Sequence, residues 1–168
     1  MISPVDTIVA LSTPRGRGAI AIIRLSGPDA FSIVQTLWQG KQPVEHLDPH
    51  RLYGGWITLG GCKLDSGLIT TSHTPRSYTG EDMVELHTHG SPAVIDEAIN
   101  ACLSAGARLA EPGEFTKRAL LNGKLDATQA EAVADLVEAE SNKLARLAAD
   151  QLAGGLSRKM ATLVEDIV

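Results

Sequence analysis

The run Thr79-Gly80-Glu81-Asp82-Met83-Val84-Glu85-Leu86-His87-Thr88-His89-Gly90 gathers more titratable side chains than any other part of the chain. Read as a strand from Met83 to Thr88, it places Glu85, His87 and His89 on one face and Val84, Leu86 and Thr88 on the other. Two chemistries fit three such groups in a row. A His-x-His pair can hold a metal if further ligands join it, with His73 or Cys62 as candidates. Alternatively, Glu85 accepts hydrogen bonds from a ligand that presents adjacent N–H groups. The plain alternative is a solvated strand face. Two strand histidines at this spacing carry little metal-binding information by themselves, so no metal is expected at His87 and His89. A second anomaly is Arg24, a charge inside the apolar run Ala19-Ile20-Ala21-Ile22-Ile23-Arg24-Leu25. A buried charge is costly unless paired. Arg24 therefore forms a salt bridge to a neighbouring strand, lies at an edge, or clamps an anionic or carbonyl oxygen. Two turns also carry charged edges, Glu111 to Arg118 and Leu121-Asn122-Gly123-Lys124-Leu125-Asp126.

Several chemistries are excluded by pattern. The string GxxxxGK[ST] occurs nowhere, and Gly16-Arg17-Gly18 is too short to be a nucleotide fingerprint. The chain is therefore not expected to bind GTP by itself. There is no GxSxG elbow and no catalytic-cysteine signature. No catalytic residue is assigned.

The elements that must position these groups fall into two regimes. Up to about Gly113, short strand-like runs alternate with two helical patterns. Thr7 to Leu11 predicts a strand. Thr13-Pro14-Arg15-Gly16-Arg17-Gly18 is a turn, and the apolar run after it suits a central strand buried on both faces. Ser26-Gly27-Pro28-Asp29 opens a helix with Phe31, Val34 and Leu37 or Trp38 along one side, and residues 39–50 read as a loop. Leu52 to Leu59 and Leu64 to Thr71 predict a hairpin turning at Gly60-Gly61. Ser91-Pro92 starts a helix with Val94, Ile95, Ala98, Ile99 and Leu103 inward and Gly106 at its end. Arg108 to Ala110 predicts a last short strand.

Beyond that point the chain reads as helical. One short helix runs from Glu114 to Leu121. Asp126 caps another with Gln129 as capping-box partner, and Ala130, Val133, Ala134 and Val137 are expected to face inward. Ser141 marks a joint. Leu144, Ala148, Leu152, Leu156, Met160, Leu163 and Ile167 then repeat every three or four residues. The stripe is still regular at Val168, so the chain is expected to be part of a longer protein whose other helices cover it; the alternative is oligomerisation through the stripe. The fold class is α+β, a mixed sheet with flanking helices followed by an all-α segment. The expected domains are 1–118 and 119–168.

Composition bounds the partners. The net charge is −5, whereas a domain that grips phosphate backbones usually has a basic excess. Strong RNA binding by this segment alone is not expected. With two Phe, two Tyr and two Trp, the core must be built from aliphatic side chains. No signal-peptide pattern and no apolar run of membrane-spanning length occurs. A cytoplasmic location is expected, with Cys62 and Cys102 as small buried hydrophobes.

Seven strings taken together are specific: Asp6 to Ala10, Thr13 to Ile20, Arg24-Leu25-Ser26-Gly27, Ser77 to Asp82, His89-Gly90-Ser91-Pro92, Ala110 to Ala119, and Leu121 to Asp126. In order and spacing they closely resemble the MnmE/TrmE family of tRNA-modification GTPases, over essentially the whole chain. The resemblance implies an α/β amino-terminal domain similar to aminomethyltransferase-type folate-binding domains, then a helical domain interrupted by a GTPase domain. It implies that the amino-terminal domain makes a homodimer and binds a 5-formyl-tetrahydrofolate-type one-carbon donor. It further implies that the whole protein, with a flavoprotein partner of MnmG/GidA type, modifies the wobble uridine of certain tRNAs, using GTP with Mg²⁺ and K⁺. Carried over position by position, the family's folate contacts fall on Arg24, Glu85 and Lys124. Neither the GTPase motifs nor the family's Cys-containing tail occurs in these residues, so this segment is not expected to be catalytic alone.

Overall fold

The computed structural model describes residues 6–155. The chain divides at Pro112/Gly113 into two compact units. In the first, β1 (Ile8–Leu11), β2 (Gly18–Ser26), α1 (Ala30–Gln35), β3 (Trp38–Gln39), β4 (Tyr53–Leu59), β5 (Cys62–Ser72), β6 (Met83–Gly90), α2 (Pro92–Ser104) and β7 (Arg108–Leu109) follow one another. The strands form one seven-stranded sheet in the order β3-β4-β5-β6-β2-β1-β7. All neighbours pair antiparallel except β1 and β7, which pair parallel, so the sheet is mixed. The fold is α+β, as the sequence predicts. Among the described residues no helix is long and apolar enough to cross a membrane.

The core is one layer thick. Ile23 and Leu25 of β2, Val84 and Leu86 of β6, Ile69 of β5 and Ile57 of β4 pack against Ile33 and Val34 of α1 and Ile95, Ala98, Ile99 and Cys102 of α2. Every second residue of each strand points to this layer, because side chains alternate across a strand. The other face of β2 is open: Ile20 is 65% exposed, and Ile22 and Arg24 are half-buried. The apolar run of this strand had suggested burial on both faces. An antiparallel sheet can leave one face uncovered, and here both helices of the unit lie on the same side.

Other boundaries differ in informative ways. α1 stops at Gln35, and Trp38 pairs with Ile57 as part of β3 rather than continuing the helix. Residues 39–50 are mainly loop, with a 3-10 turn at Val44–His46. Ser91 stands at the N-cap of α2 but makes no side-chain cap bond, so Pro92 is the local start signal. In α2 the inward set is Ile95, Ala98, Ile99 and Cys102; Val94 and Leu103 lie at its margin. The β4–β5 hairpin turns at Gly60-Gly61 as expected. Gly67 on β5 has a steric reason: a Cβ there would run into the carbonyl oxygen of His87 on β6.

The second unit holds α3 (Glu114–Leu121), α4 (Ala127–Glu138) and α5 (Asn142–Leu152). Both halves of the capping box between Asp126 and Gln129 are present. Ser141 caps α5 by accepting from the Leu144 N–H. The inward face of α4 differs from expectation. Val137 is 82% exposed and Ala134 is exposed, whereas Ala132 is fully buried. Ala130 and Val133 of the expected stripe are half-buried, so the buried face is turned partway from the one the spacing marked. On α5, Ala148 is buried but Leu144 and Leu147 are exposed. The continuation of that stripe, from Leu156 onward, lies outside the described residues.

Two expectations follow. Ile23 is fully buried at the centre of the sheet, so Ile23→Ala should cost about 2–5 kcal/mol in urea unfolding; a loss below about 1 kcal/mol would contradict the one-layer core. The cysteines differ, contrary to the reading of both as buried: Cys62 is exposed at the hairpin and Cys102 is buried. Burial pushes the Cys102 thiol from an ordinary 9.0 up to about 12, against a smaller opposing backbone hydrogen bond. At pH 8 a thiol reagent should therefore modify Cys62 in the folded chain and Cys102 after unfolding. The folded chain keeps the Cys102 proton where the unfolded chain loses it. The associated stability is full below about pH 9 and is lost as pH rises toward about 12. Equal reactivity of both thiols in the folded state would refute this placement.

Candidate functional site

Arg24 and Glu85 are direct cross-strand partners on the open face, in a row that runs Ala10–Arg24–Glu85–Thr70 across four strands. Nε of Arg24 donates to Oε1 of Glu85 at 2.8 Å, and Nη2 forms an ion pair with the same oxygen at 2.7 Å. The two side chains are 25% and 20% exposed, so the pair is shielded but reachable. The charge inside the apolar strand is thus matched from the neighbouring strand, which was one of the readings the sequence left open. The Tyr78 ring lies against the guanidinium, 5.4 Å from centroid to Cζ, within cation–π range.

The next row toward the hairpin carries Ile22, His87 and Leu68. Nε2 of His87 stands 3.9 Å from Oε2 of Glu85. That is beyond hydrogen-bond distance, and this nitrogen is buried with no partner among the described residues. His87 also lines a shallow cavity of about 190 Å³, together with Ile20, Gly67 and Leu68. His89, expected on the same face, is drawn off by Asp65, which accepts from its backbone N–H at 2.8 Å and meets its Nδ1 at 2.7 Å. His73 packs edge-on to Phe31 and faces Asp82. Cys62 is at the hairpin turn. Among the described residues no cluster of three or more His, Cys, Asp or Glu side chains is arranged to hold a metal ion.

The loop between β5 and β6 closes the other end of the face. Ser26 bonds Thr79 Oγ1 and donates to Glu81 Oε2, both at 2.7 Å. Thr74 receives support at both ends, its N–H donating to Asp82 Oδ1 at 2.9 Å and its hydroxyl to the Gly80 carbonyl at 2.8 Å. The backbone N–H of Gly27 donates to the Asp82 carbonyl at 3.0 Å. These bonds fix the loop that presents Tyr78 to Arg24. Tyr78 and the anchors Ser26, Thr79 and Glu81 were not singled out as site residues by sequence reasoning. Their signals were the strings Arg24-Leu25-Ser26-Gly27 and Ser77 to Asp82 and the titratable run that starts at Thr79.

Lys124 belongs to the second unit. It follows the end of α3, where Gly123 adopts φ 68° and the Lys124 N–H donates to the Ala119 carbonyl at 2.8 Å. This left-handed turn is a common helix ending, and it leaves the Lys124 side chain exposed.

The family model described as "GTP-binding protein TrmE N-terminus" matches residues 7–124. The chain belongs to the MnmE/TrmE family. Among relatives, the tRNA modification GTPase MnmE of Thermotoga petrophila is 47% identical over 163 residues, covering 97% of this chain and 36% of its own. The protein of the same name from Neisseria meningitidis serogroup C is 48% identical over 168 residues, covering 100% and 37%. That of Lactococcus lactis subsp. cremoris is 46% identical over 163 residues, covering 97% and 36%. The chain thus spans little more than a third of the length of these relatives. Arg24, Glu85 and Lys124 all lie within the stretch that the MnmE/TrmE amino-terminal model matches.

The anchored loop generates a prediction. Ser26→Ala removes both of its side-chain bonds, and a hydrogen bond to a charged group is worth about 1.5–3 kcal/mol. Amides of residues 74–82 should exchange faster in that variant while those of β6 keep their protection. Unchanged exchange across the loop would show that Ser26 does not anchor it.

Proposed function

We propose that this chain is the folate-binding, dimerising part of a tRNA-modification GTPase, and that a 5-formyl-tetrahydrofolate-type one-carbon donor binds at Arg24, Glu85 and Lys124. The observation that carries this reading is the Arg24–Glu85 pair. It is a fixed, half-shielded carboxylate on a sheet face that neither α1 nor α2 covers. A reduced pterin presents an amino group beside a ring N–H, both donors, and a carboxylate is the matching acceptor. Arg24 holds that carboxylate in place, and Lys124 supplies a second cation for anionic or carbonyl oxygens of the ligand. When bound, such a folate would bring a one-carbon unit.

The rest of the reading is what resemblance to the MnmE/TrmE family implies. The whole protein acts in the cytoplasm with an MnmG/GidA-type flavoprotein on the wobble uridine of certain tRNAs. GTP with Mg²⁺ and K⁺ is used by a domain outside these residues. Homodimerisation through the first unit has its own support: Ile20, Trp56 and Leu68 are exposed on the open face, and closed two-fold pairing of like surfaces is the commonest assembly.

Calorimetry with 5-formyl-tetrahydrofolate tests the site. Glu85→Gln keeps the shape but turns part of the acceptor into a donor. The loss of a hydrogen bond to a charged group, about 1.5–3 kcal/mol, should weaken binding roughly ten- to a hundredfold. Thermal melts control for folding, since the same change weakens the pair with Arg24. Equal affinity of the two proteins would remove Glu85 as the anchor.

A further inference from the structure

Oxygen Oε1 of Glu85 already accepts the Nε–H of Arg24 and is ion-paired to its Nη2 at 2.7 Å. The guanidinium thus occupies the Oε1 side of the carboxylate, and Oε2 is the oxygen turned away from Arg24. A ring edge with two adjacent donors meets Oε2 on Glu85, and an acceptor beside Oε2 would serve its second donor. The group 3.9 Å from Oε2 is Nε2 of His87. That nitrogen is buried and has no partner among the described residues. Native proteins seldom leave a buried polar atom unmatched, and such exceptions call for a ligand, an ion or a strain. Between them, Oε2 and Nε2 make a split acceptor pair on the open face.

We propose that His87 is a specificity-determining residue of this site. In the tautomer protonated at Nδ1, its Nε2 accepts one of two adjacent N–H groups on a heteroaromatic ring edge while Glu85 Oε2 accepts the other. The inference rests on the folate reading given above. The imidazole is 22% exposed as a whole. Nε2 is turned inward, so contact needs rotation about χ2, a broad and soft torsion in histidine. Two acceptors side by side select donor–donor edges. An edge that sets a bare ring nitrogen beside an amino group would face an acceptor with an acceptor, and is rejected.

The test is calorimetry on the 168-residue chain with two probes. One is 5-formyl-tetrahydrofolate, which presents an amino group beside a ring N–H. The other is a 2,4-diaminopteridine analogue, in which that ring N–H is replaced by a bare nitrogen. Wild type should prefer the first by at least about tenfold. His87→Leu should bind the first about tenfold more weakly and lose most of the preference. His87→Gln, whose amide oxygen can accept, should recover both. Exchange of an unpaired buried nitrogen for an apolar group should leave the melting temperature equal or higher, which separates a binding defect from a folding one. His87→Met serves as a second apolar variant if leucine does not fit. Undiminished binding and preference in the apolar variants, with Glu85→Gln weakened, overturns the role of His87 and leaves the folate reading standing. Failure of wild type to bind either probe overturns both.

Discussion

An arginine in the middle of an apolar strand needs a partner, and here Glu85 supplies it from the adjacent strand at 2.8 Å. Much of the first unit follows from that match. It fits one register of β2 against β6, since a slip by one residue would turn Arg24 into the helix-covered layer and set Ile23 on the open side. It keeps one face of the sheet polar at its centre, so that the helices gather on the other. It also gives the loop before β6 something to close over: Tyr78 lies on the guanidinium, and the Ser26–Thr79–Glu81 bonds hold the loop there.

Local signals in the sequence carried most of the elements. The hairpin at Gly60-Gly61, the proline start of α2 and the capping box at Asp126 depend on short-range chemistry, and each stands where that chemistry puts it. What could not be read locally was which surfaces meet. The β2 run is apolar throughout, yet only its alternate residues find the core, because the number of helices on each side of a sheet is not written in the strand. Trp38 continues a helical spacing but joins a strand, since Ile57 pairs with it from far along the chain. Val137 keeps the period of its helix and still faces outward. Cys62 has the composition of a core residue but lies at a turn.

The candidate site shows the same division. Arg24 and Glu85 stood out as residue types in unusual settings, and the alternation rule set Glu85 and His87 on one face. Nothing in the spacing told that Oε1 of Glu85 would be paired with Arg24, or that Asp65 would take His89 away from its neighbours. These are outcomes of cross-strand register, which joins Arg24 to Glu85 across 61 positions and Asp65 to His89 across 24. The resemblance to the MnmE/TrmE family singled out Lys124, which no local oddity would have marked beyond a charged turn.

The parallel pairing of β7 with β1 has a mechanical side. The Arg108 N–H bonds the Thr7 carbonyl, the Ala110 N–H bonds the Val9 carbonyl, and Arg108 is ion-paired to Asp6 at 2.8 Å. The first strand of the unit is thus strapped to its last, so the segment between them is a closed loop. Because the two strands run the same way, tension between Asp6 and Ala110 pulls along their axes in opposite directions. It loads the straps in shear, all together, where an antiparallel edge pulled from adjacent ends would peel bond by bond. A pull arriving through the chain beyond Ala110 would meet this short clamp first, before it reached the strands that hold Arg24 and Glu85.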